Sequence, residues 1–249
     1  MTASELEHRL RAAAPNALVA YLTAGYPTMP AFFDLLRRVA EVVDAVEVGV
    51  PFTDPMADGP VLQQTGHAAL QAGFTLEGLI ETLQKERFDI PLLLMSYLNP
   101  LLSHGDRLVP EIEKAGISGL VVPDLPLEEG TDIGKALDAQ KLAWVQLIAP
   151  TTPRPRAKQL AAASRGFVYA VTSRGQTGGD ARLSDELTEQ LAELKAAATA
   201  PVLVGFGVRR RAQVELFSGH ADGVIVGSAL MDTILKDEDP IAFLRALRP

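Results

Sequence analysis

At 249 residues the chain has room for one (β/α)8 barrel or for two ordinary domains, and it is long enough to bury a large core. With 47% hydrophobic and 22% charged residues and a formal net charge of −8, it reads as a globular protein for which nucleic acid or an anionic membrane is a poor partner. It contains no cysteine, which excludes disulfides and thiolate metal sites, and it has no apolar stretch of signal-peptide or bilayer-spanning length, so the cytoplasm is the expected compartment.

Residues 1–14 alternate charged and apolar residues at helical spacing and predict an extra N-terminal helix. Strand-length apolar runs follow at 18–22, 45–50, 91–95, 119–122, 143–148, 166–171, 201–205 and 223–226. Near-continuous apolar runs of this kind suit parallel strands buried on both faces. Between and after them, the segments 32–43, 75–88, 107–115, 127–140, 154–164, 184–199, 210–218 and 240–248 mix charged and apolar residues at helical spacing. The last opens with Pro240 behind Asp237, Glu238 and Asp239, a composition suited to a helix start. Eight strands alternating with eight helices predict an α/β fold with parallel strands. Their number and spacing predict a single (β/α)8 TIM barrel over residues 1–249, with a doubly wound open sheet as the rival. In such barrels the chemistry sits at the C-terminal ends of the strands, so the residues that follow each strand matter most.

The second strand reads Ala45-Val46-Glu47-Val48-Gly49-Val50. Period-2 geometry puts three valines on one face and Ala45, Glu47 and Gly49 on the other. The valine face is expected to meet the helices, which turns Glu47 into the barrel. A carboxyl group there is either a structural group satisfied by backbone or hydroxyl, or a general acid/base whose pKa burial raises. The 51–60 loop holds three prolines, one glycine and the carboxylates Asp54 and Asp58. Such aspartates serve as turn formers or as functional groups.

Glycines gather at the far end of the chain. Gly205-Phe206-Gly207 follows the seventh strand, and Gly227-Ser228 follows the eighth and opens a helix. Loops after strands seven and eight, meeting a helix N-terminus, form the phosphate site of many such barrels. The alternative is tight strand-to-helix packing. The 172–180 segment, with Gly175, Gly178 and Gly179, is either a loop that closes over substrate or a plain surface connection. No lysine falls inside or at the C-terminal end of a predicted strand, which argues against Schiff-base and pyridoxal phosphate chemistry. His8, His67, His104 and His220 show no metal-ligand spacing. No metal and no cofactor are expected. What remains is acid–base chemistry by carboxylates on a phosphorylated substrate.

These residues together resemble the tryptophan synthase α-subunit family. YLTAG at 21–25 is similar to its first-strand signature, and VEVGVPFTDPMADGP at 46–60 to its most distinctive motif. LMSYLNP at 94–100, VPDLP at 122–126, APTTP at 149–153, GFG at 205–207 and VGSA at 226–229 follow in the family's order, so the likeness spans nearly the whole chain. The resemblance implies retro-aldol cleavage of indole-3-glycerol phosphate to indole and glyceraldehyde 3-phosphate, without cofactor. It implies that Glu47 is the general acid/base and that Asp58 answers the positive charge developing at the indole N–H. It places Tyr21, Tyr97, Tyr169 and Thr177 at substrate-side positions and Gly178, Gly207, Gly227 and Ser228 at phosphate-binding positions. A β subunit carrying pyridoxal phosphate is the implied partner, in an α2β2 complex, with Asp54, Pro55, Asn99, Pro100 and Asp124 on the docking face.

The sequence departs from the family pattern in three places. Tyr26 stands where an Asp is common, Arg174 and Gln176 alter the usual Gly-Val-Thr-Gly loop, and Arg209-Arg210-Arg211 follows the Gly-Phe-Gly turn where a capping Ser or Thr is frequent. The rival functions are another phosphosugar-binding barrel, isomerase or lyase, and a barrel that mainly regulates a partner through weak chemistry.

Overall fold

The structure, a computed structural model, describes residues 1–172, 183–205 and 207–249. Short runs of Val, Leu, Ile and Ala supply the strands, because β-branched and apolar side chains fit a sheet buried on both faces. They are β1 (Ala17–Thr23), β2 (Ala45–Gly49), β3 (Leu92–Met95), β4 (Ile117–Val121), β5 (Ala143–Ile148), β6 (Val168–Val171), β7 (Val202–Gly205) and β8 (Gly223–Val226). All pair in parallel in sequence order, and β8 returns to β1, so the sheet closes as a barrel. The closed TIM barrel expected from the sequence is the observed fold, and the open sheet is ruled out.

The helices are α1 (Ala3–Ala13), α2 (Met29–Ala40), α3 (Pro60–Gln71), α4 (Leu76–Leu83), α5 (Leu98–Leu102), α6 (Leu108–Lys114), α7 (Thr131–Ala139), α8 (Arg154–Ala163), α9 (Asp185–Ala197), α10 (Arg211–Phe217), α11 (Ser228–Leu235) and α12 (Pro240–Leu247). Two of them, α3 and α5, have no counterpart in the sequence reading, which for α11 gave the start at Gly227-Ser228 and no end. The buried face of α3 consists of Thr65, Gly66 and Ala69, too small to give a strong apolar period. Its place is set by a buried bond instead: the Thr65 and Thr23 hydroxyls lie 2.8 Å apart, tying α3 to the end of β1. The α5 segment is five residues long, shorter than any helical period resolves.

Two cores follow from strand alternation. Val46 and Val48 belong to the layer between barrel and helices, together with Leu36, Leu79 and Leu83. Ala45, Val19, Leu93, Val145, Leu203 and Ile225 fill the barrel interior. The bottom of the barrel is stopped by α1, whose Leu6 and Leu10 are fully buried in that inner cluster. Thr2 starts this helix with a capping box to Glu5. With its N-terminal end plugged, the barrel is open to small molecules at the C-terminal ends of its strands. Among the described residues, no helix is long and apolar enough to cross a membrane.

Candidate active site

The alternation of β2 has the consequence read from its sequence: Glu47 points into the barrel and is fully buried. Neither carboxyl oxygen has a hydrogen-bond partner among the described residues. Burial alone pushes the carboxyl up to about 8, because nothing nearby pays for a charge in this apolar space. The structure therefore excludes the bland alternative of a glutamate satisfied by backbone or hydroxyl within the described residues. At neutral pH the group is an acid with a proton to give.

Two tyrosines lie near it. Tyr21 on β1 is the register partner of Glu47, and Tyr169 comes from β6 across the barrel. Burial raises both phenols above their ordinary value, with Asp58 next in effect for Tyr21 and Glu47 for Tyr169. They remain neutral hydroxyls on apolar rings. Each ring rests on a glycine of the next strand. A Cβ built on Gly49 would stand 2.1 Å from the Tyr21 hydroxyl, and one on Gly205 would stand 2.2 Å from Cε1 of Tyr169.

The loop after β2 brings the second carboxylate. Asp58, half-buried, accepts from the Tyr97 hydroxyl at 3.2 Å, and that hydroxyl accepts from the Ala57 N–H at 2.8 Å. Burial raises the Asp58 carboxyl and the Tyr97 bond opposes it. Tyr97, two residues beyond β3, is pushed up to about 12 by burial and then by the Asp58 charge. It does not line the cavity that holds Glu47 and Asp58. Its hydroxyl ties the loop that carries Asp58 to the end of β3.

The residues for which the resemblance implies phosphate binding converge from the ends of β7 and β8. Gly207 has φ +86° and open space where a Cβ would be, so its backbone faces the cavity unscreened. Gly227 and Ser228 stand at the N-terminus of α11, whose first N–H groups have no intrahelical acceptor. Tyr21, Glu47, Asp58, Tyr169, Gly207, Gly227 and Ser228 all line one cavity of about 850 Å³, part of it open to solvent. Leu62, Met95, Leu147 and Ile225 add an apolar wall, and Arg209 stands at the rim. The sequence reading missed this apolar wall, because a barrel-facing Leu or Ile carries no signal that separates substrate contact from core. Among the described residues no group of three His, Asp or Glu is placed to hold a metal ion.

Asp54, Pro55, Asn99, Pro100 and Asp124 are not among the residues that line the cavity. Asp54 and Asn99 are exposed, and Pro55 and Pro100 partly so, with Asp54-Pro55 on the loop after β2 and Asn99-Pro100 in the short helix α5 after β3, at the same end of the barrel. Asp124 is also exposed, and its carboxylate accepts from the Leu98 N–H at 2.8 Å, fixing the start of α5. Thr177 and Gly178, together with Arg174 and Gln176, fall outside the described residues. Tyr26 packs partly buried against the outer core.

This cavity, with its paired carboxyls and its glycine-lined rim, sits on a chain whose residues 8–246 match the family model described as tryptophan synthase alpha chain. The chain belongs to that family. It is 40% identical to the tryptophan synthase alpha chain of Nitratidesulfovibrio vulgaris (strain Hildenborough), over 99% of this chain and 98% of that one. It is also 40% identical to the alpha chain of Chloroflexus aurantiacus, over 96% and 94%. Among solved structures, a tryptophan synthase of Mycobacterium tuberculosis superposes with a TM-score of 0.87 at 35% identity, over 98% of this chain and 96% of that chain. As a tryptophan synthase alpha subunit it is an enzyme of tryptophan biosynthesis, a carbon–carbon lyase, and the reading of the barrel as a mainly regulatory one is not favoured.

Proposed function

We propose that the whole chain acts as one barrel domain that cleaves indole-3-glycerol phosphate into indole and glyceraldehyde 3-phosphate, with Glu47 and Asp58 as its catalytic residues. The observation that carries this reading is the Glu47 carboxyl, buried, protonated at neutral pH and without a hydrogen-bond partner among the described residues, in a cavity that also holds a second carboxyl.

The reaction needs the indole ring to become a leaving group. Glu47 gives its proton to C3 of the ring. The positive charge that results is spread to the ring nitrogen, where the Asp58 carboxylate accepts from the N–H and stabilises it. The bond from C3 to the glycerol carbon then breaks, its electrons returning to the ring. The hydroxyl on that carbon loses its proton to Glu47 and becomes the aldehyde. Glu47 ends as it began, so the proton count closes with no external acid or base. The two carboxyls need different environments for these two roles, and one is fully buried while the other is half-buried beside a tyrosine hydroxyl.

Tyr21, Tyr169 and the apolar wall take the indole ring. Gly207, Gly227 and Ser228 take the phosphate through backbone N–H groups and one hydroxyl, at the positive end of α11. Gly178 and Thr177 complete the phosphate and substrate contacts in this reading.

The partner is a β subunit that uses indole, in an α2β2 complex. Its docking face is the catalytic end of the barrel, through Asp54, Pro55, Asn99, Pro100 and Asp124. Met56 and Leu102 support this: they are 85% and 59% exposed, beside Pro55 and Pro100 on that end. Exposed large apolar side chains of this kind suit a protein interface. Indole is small and apolar, and direct transfer prevents its escape. The compartment is the cytoplasm. The test is to supply the purified chain with indole-3-glycerol phosphate and measure indole, alone and with the β subunit. Absence of indole release in both conditions would overturn the lyase reading for this cavity.

A further inference from the structure

The cavity's charges do not balance. Asp58 brings a carboxylate while the buried Glu47 stays protonated, and among the described residues lining the cavity Arg209 is the one basic side chain. A substrate phosphate adds negative charge to the same space. The α11 dipole offsets only about half an elementary charge.

Arg209 stands two residues beyond Gly207, and its resting contact is weak. Its guanidinium lies 3.5 Å from Oδ2 of Asp232 on α11, at the outer limit of a hydrogen bond. Lys236 holds the same oxygen at 2.8 Å, so Asp232 keeps a partner without Arg209. Both Arg209 and Lys236 are about half exposed. Asp232 lies four residues after Ser228, one turn along the same face of α11, a separation of about 6 Å. The flexible Arg209 side chain spans that distance.

The Arg209 side chain also has no part in starting α10. Gln213 does that: its Oε1 accepts from the N–H groups of Arg209 and Arg210 at 2.7 and 3.1 Å, and its Nε2 donates to the Gly207 carbonyl at 3.0 Å. One side chain thus replaces a capping Ser or Thr and fixes the Gly207 turn, which leaves the guanidinium next to the anion site.

We propose that Arg209 is a phosphate-binding residue whose guanidinium leaves Asp232 and closes on the substrate phosphate held at Gly207, Gly227 and Ser228. The inference rests on the phosphate reading of that rim. Arginine suits the task because its planar fork meets two phosphate oxygens at once. Lys236 keeps Asp232 paired in the closed arrangement.

The test is calorimetric titration of the purified chain with inorganic phosphate, using the unsubstituted protein, Arg209→Gln and Asp232→Asn, followed by steady-state kinetics on indole-3-glycerol phosphate. Arg209→Gln is expected to weaken phosphate binding about tenfold or more and to raise KM in step, with kcat nearly unchanged. Asp232→Asn, which removes the resting partner, is expected to bind phosphate at least as tightly as the unsubstituted chain. If Arg209 only braces α11, both variants lose thermal stability and neither changes phosphate affinity; that result overturns the assignment to Arg209 and leaves the glycine site standing. An unsubstituted chain that binds no phosphate overturns the rim as an anion site, and the role of Arg209 with it.

Discussion

The Tyr169 ring lies over Gly205, so close that an added Cβ would stand 2.2 Å from its Cε1. Tyr21 has the same relation to Gly49 on the opposite side of the barrel. Each tyrosine leans two residues along the next strand, since Tyr169 pairs with Leu203 and Tyr21 with Glu47. The glycines at these strand ends are thus seats for the rings that border Glu47.

Gly205→Ala is expected to displace the Tyr169 ring. Forcing one methyl group into this filled space costs about 1–3 kcal/mol. Denaturant unfolding is expected to show that loss and indole release to fall with it. An alanine variant with unchanged stability and rate would mean that the ring has other room.

A second expectation concerns pH. The Glu47 carboxyl is raised by burial from an ordinary 4.5 to about 8. Between these values the unfolded chain gives up a proton that the folded chain keeps, so stability falls as pH rises, by about 1.4 kcal/mol per unit from this one group. Below that window the group costs nothing, and above it the penalty is complete. Glu47→Gln is expected to fold, to unfold with a flatter pH dependence over that window, and to lose at least about 10²-fold in turnover. In the unsubstituted chain, turnover is expected to decline as pH rises past about 8, where the acid is lost. Near-normal indole release from the glutamine variant would remove Glu47 from the mechanism.

Tyr97→Phe separates positioning from binding. The hydroxyl holds both Ala57 and Asp58, and it does not line the cavity. Its removal is expected to lower kcat roughly tenfold through a misplaced Asp58, while phosphate affinity stays within about twofold. A rise in KM with kcat intact would instead point to direct substrate contact.

The β subunit is expected to accelerate indole release, and Asp54→Ala to blunt that stimulation several-fold without altering phosphate binding. Asp54 is exposed and its carboxylate accepts only from Thr53 beside it among the described residues, so the substitution leaves the fold alone. Equal stimulation of both proteins would take Asp54 off the docking face.

Gly227→Val addresses the anion site. A Cβ there meets the Tyr21 Cβ at 3.3 Å, and a branched side chain covers the first N–H groups of α11. KM is expected to rise at least tenfold. An unchanged KM would place the phosphate elsewhere.

The amino-acid sequence by itself determined the barrel, because eight apolar runs separated by amphipathic segments admit few arrangements in which every strand is buried on both faces. It also determined that Glu47 turns inward, since three valines in alternation leave no other face for it. The motif order carried the family. It could not show α3, whose small buried residues leave no strong period and whose seat depends on a hydroxyl pair between Thr23 and Thr65. Only the tertiary structure decided which residues share the cavity with Glu47. Met95, Leu147 and Ile225 read as plain core along the chain and become walls because the barrel is plugged below and open above. It alone set Tyr97 behind Asp58 and brought Arg209 to the cavity of Gly207, Gly227 and Ser228, because both placements depend on loops from different strands meeting at one end of a closed sheet. Local pattern reports the face a residue shows, whereas its neighbours across the barrel are fixed by strand register and closure.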